Sequence, residues 1–184
     1  MKQEAYRAWI PSTHEGPLDM HDALWAPWRL QYLQHLDDDT RSGGSGLQDF
    51  IYHCWNAPAD DADNHVIIRG EHGLVMLNRH PYASGHLLVA LGQAQPRLLD
   101  YSPQQRAAFW SLVEQAWSLM QEKLDPQGVN MGINEGAASG AGLPGHLHAH
   151  LVPRWQGDVN FMATVAGTRV IPASLEAMAE MYRG

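Results

Sequence analysis

The sequence predicts an α+β fold built on a mostly antiparallel, five-stranded sheet. Three observations carry that expectation. Strand-like runs follow one another closely at 65–69, 73–78 and 85–91. One long helical pattern and one closing helix stand apart from those runs. Two further strand-like runs come later, and in the second of them histidine alternates with apolar residues.

The chain of 184 residues is long enough for one domain with a sizeable core. A formal net charge of −8 opposes a nucleic-acid backbone, so no general nucleic-acid partner is expected. A small anionic ligand held in a local pocket stays compatible with it. The single cysteine, Cys54, cannot form an internal disulfide, which suits a reducing cytoplasm. Met1 to Ile10 has no apolar signal-like core, and no run reaches ~18 apolar residues. Export and membrane insertion are therefore not expected.

Met1 to Met20 reads as an extended lead-in. Asp22 to Leu36 reads as a short helix, with Asp22 as its cap. Leu24-Trp25-Ala26-Pro27-Trp28-Arg29 carries too much aromatic area to leave in water. It either packs on its own core or crosses to a partner subunit. Arg41-Ser42-Gly43-Gly44-Ser45-Gly46 has the composition of a flexible linker. Residues 1–48 are thus expected to be an N-terminal extension, and 49–184 the main domain.

Phe50 to Trp55 is aromatic and precedes an acidic turn. Gly70-Glu71-His72-Gly73 looks like a tight hairpin between the first two strands. Arg79 to Ser84, with Pro81, is a loop into the third strand. Ser102 to Leu124 is the clearest helix: Ser102 can cap it, Pro103 suits its first position, and Gln105 completes a capping box. Phe109, Leu112, Val113, Ala116, Met120 and Leu124 recur along it at helical spacing, as a core-facing stripe does. Val129 to Asn134 is a fourth strand, and Glu135 to Gly145 a Gly/Ala-rich turn. Ile171 to Tyr182 closes the chain as an amphipathic helix, with Pro172 near its start.

The fifth strand-like run, Gly145 to Trp155, holds His146, His148 and His150 at alternate positions, with Leu147, Ala149 and Leu151 between them. A strand puts those imidazoles in one row, roughly 6.5–7 Å apart, and the apolar residues on the other face. The expected result is one wet, reactive face and one packed face. The row alone allows a metal site, nucleophilic catalysis or chance placement. The preceding turn, Asn134 to Gly145, shifts the balance. Its glycines let backbone N–H groups approach an anion, and a phosphate cradle beside imidazoles suits phosphoryl chemistry.

Gly145 to Trp155 resembles the His-x-His-x-His motif of the histidine triad (HIT) superfamily of nucleotide hydrolases and transferases. Leu77-Asn78-Arg79-His80-Pro81-Tyr82-Ala83-Ser84-Gly85-His86-Leu87-Leu88-Val89 is similar to the family's second and third core strands, and Asn134-Glu135-Gly136 to the end of its fourth. Val152 to Phe161 and Leu24 to Arg29 look closest to the branch with bacterial diadenosine polyphosphate phosphorylases and related hydrolases. The resemblance spans Phe50 to Asn160. It implies a HIT-like catalytic domain over 49–184, acting on diadenosine tetraphosphate or a similar dinucleotide as a cytoplasmic homodimer.

Carried onto this chain, the resemblance makes His148 the nucleophile that forms a nucleotidyl-histidine intermediate. His150 contacts the phosphate, and His146 and His86 support the site. Asn78 stands where the family binds the ribose, and Asn134 beside the phosphates. Ser139, Gly140 and Gly142 belong to the phosphate loop. Many relatives carry Gln or Ser just before the first histidine, where this chain has Ala141-Gly142-Leu143-Pro144. The acceptor is therefore open between water, phosphate and another nucleophile. Many relatives also hold a zinc through Cys-x-x-Cys and two histidines. Here Cys54 stands alone beside His53, and Ala94 falls where a further histidine is common. No structural zinc or other metal site is expected, Mg2+ arriving only with the nucleotide, and Cys54 is expected to be a small buried residue. Phosphoramidase or aminoacyl-adenylate hydrolase activity is the alternative chemistry. A nucleotide-binding regulatory protein with little turnover is the alternative class.

Overall fold

The computed structural model describes residues 49–158 and 171–184. The expected extension at 1–48, with its short helix, aromatic segment and linker, lies outside them, as do Val159, Asn160 and Phe161. Among the described residues no helix is long and apolar enough to cross a membrane.

Five strands form one sheet: β1 (Val66–Arg69), β2 (Gly73–Leu77), β3 (Leu87–Leu91), β4 (Gly128–Ile133) and β5 (His148–Arg154). Their spatial order is β1-β2-β3-β5-β4, and every neighbouring pair is antiparallel. The expected α+β architecture is therefore present. β2 and β3 are buried throughout because both faces of the sheet are covered. On one face Val75, Leu77, Leu87, Val89, Leu91, Ala149 and Leu151 join the buried side chains of α2 (Pro103–Leu124) and α3 (Leu175–Arg183). On the other, Leu74, Met76, Leu88 and Ala90 join Ile51 and Cys54 of α1 (Phe50–Asn56). Cys54 is the buried small residue expected, and burial pushes its thiol pKa up.

The long helix begins where its signals place it. The Ser102 hydroxyl accepts from the Gln105 N–H at 3.2 Å, and the Gln105 side chain accepts from the Ser102 N–H at 2.9 Å. Both bonds satisfy donors that the first turn leaves free.

Several boundaries differ from the sequence reading. α1 carries no helical stripe that pattern reading detects, since only Ile51 and Cys54 of its seven residues are buried. It stands on tertiary packing and on Asp49, whose carboxylate caps it by accepting from the Tyr52 N–H at 2.8 Å. α3 starts at Leu175 rather than near Ile171, because Ser174 caps it by accepting from the Ala177 N–H. Pro172 therefore precedes the cap. β3 starts two residues later than expected, at Leu87, and β5 starts at His148, so His146 precedes the ladder. The expected wet face is also corrected. His146 is fully buried between Asp49 and the Leu91 carbonyl, and His148 is only 6% exposed beside the His150 ring. Of the row, only His150 is partly open.

Candidate functional site

The site is built where β3 and β5 run side by side. Their register pairs Leu88 with His150 and Ala90 with His148, so these residues share the α1 face of the sheet. On the other flank β4 pairs Gly132 with His150 and Ile133 with Ala149. Space beside the Gly132 Cα is open, since nothing lies within 4 Å of where a Cβ would stand. Continuing that register places Asn134 level with His148.

The histidine rings are close together. The His148 and His150 centroids lie 5.0 Å apart, and those of His86 and His150 5.2 Å apart. Their partners assign the protons. His86 Nδ1 accepts from the Tyr82 N–H at 3.1 Å and faces the Asn78 amide nitrogen at 3.3 Å. Its proton is therefore on Nε2, which donates to His150 Nδ1 at 3.0 Å. The neutral His150 ring then carries its proton on Nε2, as a donor for an anion. His148 Nδ1–H donates to the His146 carbonyl at 2.8 Å, which leaves the His148 Nε2 lone pair for chemistry.

Burial acts on both rings in the same sense. It holds the His148 pKa below the usual imidazole range, against the pull of its hydrogen bond to His146. It takes His150 down to about 4, with the neighbouring His148 adding to the effect. Both rings are therefore neutral near pH 7, as a nucleophile and a neutral donor need to be.

The structure joins Asn78, His86 and His150 by hydrogen bonds, sets the His148 ring edge-on against His150, and ties His148 to the His146 main chain. The glycine turn precedes them as a short 3-10 helix, Ala137–Ser139, bounded by Gly136 and Gly140. Both glycines adopt positive φ (80° and 86°), a conformation that side chains disfavour. The Ser139 hydroxyl is engaged within this turn, donating to the Gly136 carbonyl at 2.7 Å. Gly142 is half-buried in the segment leading to His146.

Two residues without a role in the sequence reading also lie here. Tyr82 is 51% exposed, and its ring stacks at 22° on His150 with centroids 5.9 Å apart. Asp49 places both carboxylate oxygens against His146 Nδ1, at 2.9 and 2.8 Å. Its only sequence signal is a residue suited to capping before an aromatic run, 97 positions from its partner. Among the described residues, no group of three or more His, Cys, Asp or Glu side chains could hold a metal ion.

Residues 59–157 match the family profile of the HIT domain. The AP-4-A phosphorylase of Mycobacterium tuberculosis is 34% identical over 163 residues, 87% of this chain and 82% of that protein. The asymmetrical bis(5'-nucleosyl)-tetraphosphatase of Schizosaccharomyces pombe is 29% identical over 93 residues, 50% of each chain. The crystal structure of a zinc-bound histidine triad family protein from Mycobacterium smegmatis has a TM-score of 0.57 at 27% identity, covering 70% of this chain and 88% of that one.

Proposed function

We propose, because this chain belongs to the HIT domain family, that it cleaves a phosphoanhydride of diadenosine tetraphosphate or a similar dinucleotide. The reaction passes through a nucleotidyl intermediate on His148. The observation that carries this reading is the 2.8 Å bond from His148 Nδ1 to the His146 carbonyl, which frees Nε2 for attack. The names of the relatives, a phosphorylase and a tetraphosphatase, support the substrate class.

In the first step the His148 Nε2 lone pair forms a bond to the α-phosphorus, and the bond from phosphorus to the bridging oxygen breaks. The leaving nucleotide keeps that electron pair. His150 Nε2–H donates to a non-bridging oxygen and stabilises the charge that builds there. The His146 carbonyl holds the Nδ1 proton while His148 becomes positively charged. In the second step the acceptor attacks the same phosphorus and releases His148. Water as acceptor yields AMP and ATP, and phosphate yields ADP and ATP. Asn78, bonded to His86, contacts the ribose, and Asn134 with the turn at Ser139, Gly140 and Gly142 contacts phosphates.

The reading includes no structural zinc and only the Mg2+ that the nucleotide carries. The reading also takes the protein as a homodimer, which its mass in solution tests. Incubation with the dinucleotide, with and without phosphate, decides the chemistry. ADP only when phosphate is present identifies a phosphorylase, and AMP without phosphate identifies a hydrolase. Full activity of His148→Ala would remove the assignment. Mononucleotide binding without turnover of any phosphoanhydride or phosphoramidate would replace it with a regulatory role.

A further inference from the structure

The nucleophile is held by a carbonyl, and that carbonyl belongs to a residue which is itself unusually fixed. His146 is fully buried. Its Nε2 lies 2.7 Å from the Leu91 carbonyl, at the end of β3. Its Nδ1 lies 2.8–2.9 Å from the two carboxylate oxygens of Asp49. Neither a carbonyl nor an ionised carboxylate can donate, so both ring nitrogens face acceptors. A neutral imidazole has one N–H and would leave a lone pair against an oxygen. The geometry is satisfied when His146 is an imidazolium paired with the Asp49 carboxylate.

Three elements meet in this pair. Asp49 is the cap of α1, where its Oδ1 also accepts the Tyr52 N–H. Leu91 ends β3. His146 opens the approach to β5, and its own carbonyl accepts the His148 Nδ1 proton. The other titratable groups near the pair are His148 and Tyr101. The Tyr101 hydroxyl donates to the Gln93 carbonyl, and burial pushes its pKa up to about 12, so it is neutral there.

We propose that Asp49 is a positioning residue: its ion pair with His146 locks the carbonyl that orients and tautomerises the nucleophile His148. The arrangement places a carboxylate behind a histidine, but the link to the nucleophile runs through the main chain rather than through a ring nitrogen. The carboxylate has two tasks, capping α1 and holding His146, so the start of α1 and the approach to β5 are tied at one point. The inference rests on the reading of His148 as nucleophile only for its kinetic consequence. The protonation state of His146 stands independently of any substrate.

The test uses the full chain and the variant Asp49→Asn. Asparagine keeps an oxygen for the α1 cap and an amide for His146 Nδ1, but it cannot hold an imidazolium. Long-range nitrogen-proton NMR of the histidine rings reads the outcome directly. In the wild type one buried histidine carries protons on both ring nitrogens, and it is lost in His146→Gln. In Asp49→Asn that histidine becomes singly protonated. With diadenosine tetraphosphate, kcat of the variant falls about tenfold or more while KM holds, as removal of an orienting partner does elsewhere. A purely structural role would instead lower the melting temperature and leave kcat of the folded fraction intact. A singly protonated His146 in the wild type would overturn the ion pair, whatever the variant does. An unchanged kcat in Asp49→Asn would overturn the positioning role. Wild type that cleaves no dinucleotide would count against the proposed function, and the NMR result would still decide the ion pair.

Discussion

Replacing His150 by glutamine should remove an acid-sensitive part of the protein's stability. In the folded chain His150 titrates at about 4, because burial and the neighbouring His148 disfavour its charged form. In the unfolded chain it titrates at its ordinary value of about 6.5. Between those values the unfolded state binds more protons, so stability rises with pH across the window and is lost as pH falls from about 6.5 toward about 4. A shift of that size corresponds to about 3 kcal/mol for a fully shielded group. His150 is only partly buried, so solvent screening reduces the expected contribution to about 1–2 kcal/mol. Glutamine keeps an acceptor for the His86 Nε2 proton and has no charge to gain. Urea unfolding at several pH values from about 7 to about 4 measures the difference directly. The wild type should lose about 1–2 kcal/mol more than the variant over this range, with no further difference below about 4. Parallel loss in both proteins would refute the desolvated His150 on which the neutral-donor role depends.

Two further substitutions test the packing that holds the site. Tyr182→Phe removes the hydroxyl that donates to the Gly85 carbonyl at 2.7 Å, just before His86. It leaves a buried acceptor unpaired and should cost about 1–3 kcal/mol, read as a lower melting temperature. Gly73→Ala would place a Cβ 2.2 Å from the Ala90 carbonyl oxygen and 2.9 Å from the Leu91 Cα. Both are main-chain atoms of the paired strand, so the substitution should destabilise by about 1–3 kcal/mol or more in chemical unfolding. Gly128→Ala, whose nearest contact is the Arg154 Cβ at 4.0 Å, should be far milder.

The parts of the fold legible in the sequence are those with a local physical signal. The Ser102 capping box and the long stripe behind it define α2 without tertiary information. Alternation marks β5, because Ala149 and Leu151 pack on the helical layer while His148 and His150 face the other way. Alternation does not report what covers a face, and so the burial of His146 and His148 is not legible. α1 itself is too short to show a period and is held by its cap and two buried residues. In the site, His86 and Asn78 are reached only through the resemblance, since no spacing links them to β5. Asp49 is reached by neither route: it meets His146 across 97 residues, and the sequence around it reads only as a cap. That the carbonyl which takes the His148 Nδ1 proton is that of His146 is equally invisible, because the acceptor belongs to the main chain.

The central claim is that His148 is covalently nucleotidylated during turnover. Its most direct test is stereochemical. A dinucleotide with a chiral phosphorothioate at the α-position is cleaved, with phosphate or heavy-oxygen water as acceptor, and the product's configuration is determined. Two successive in-line displacements, first by His148 and then by the acceptor, predict retention at phosphorus. Inversion would mean a single direct attack by the acceptor, and His148 would not be the nucleophile.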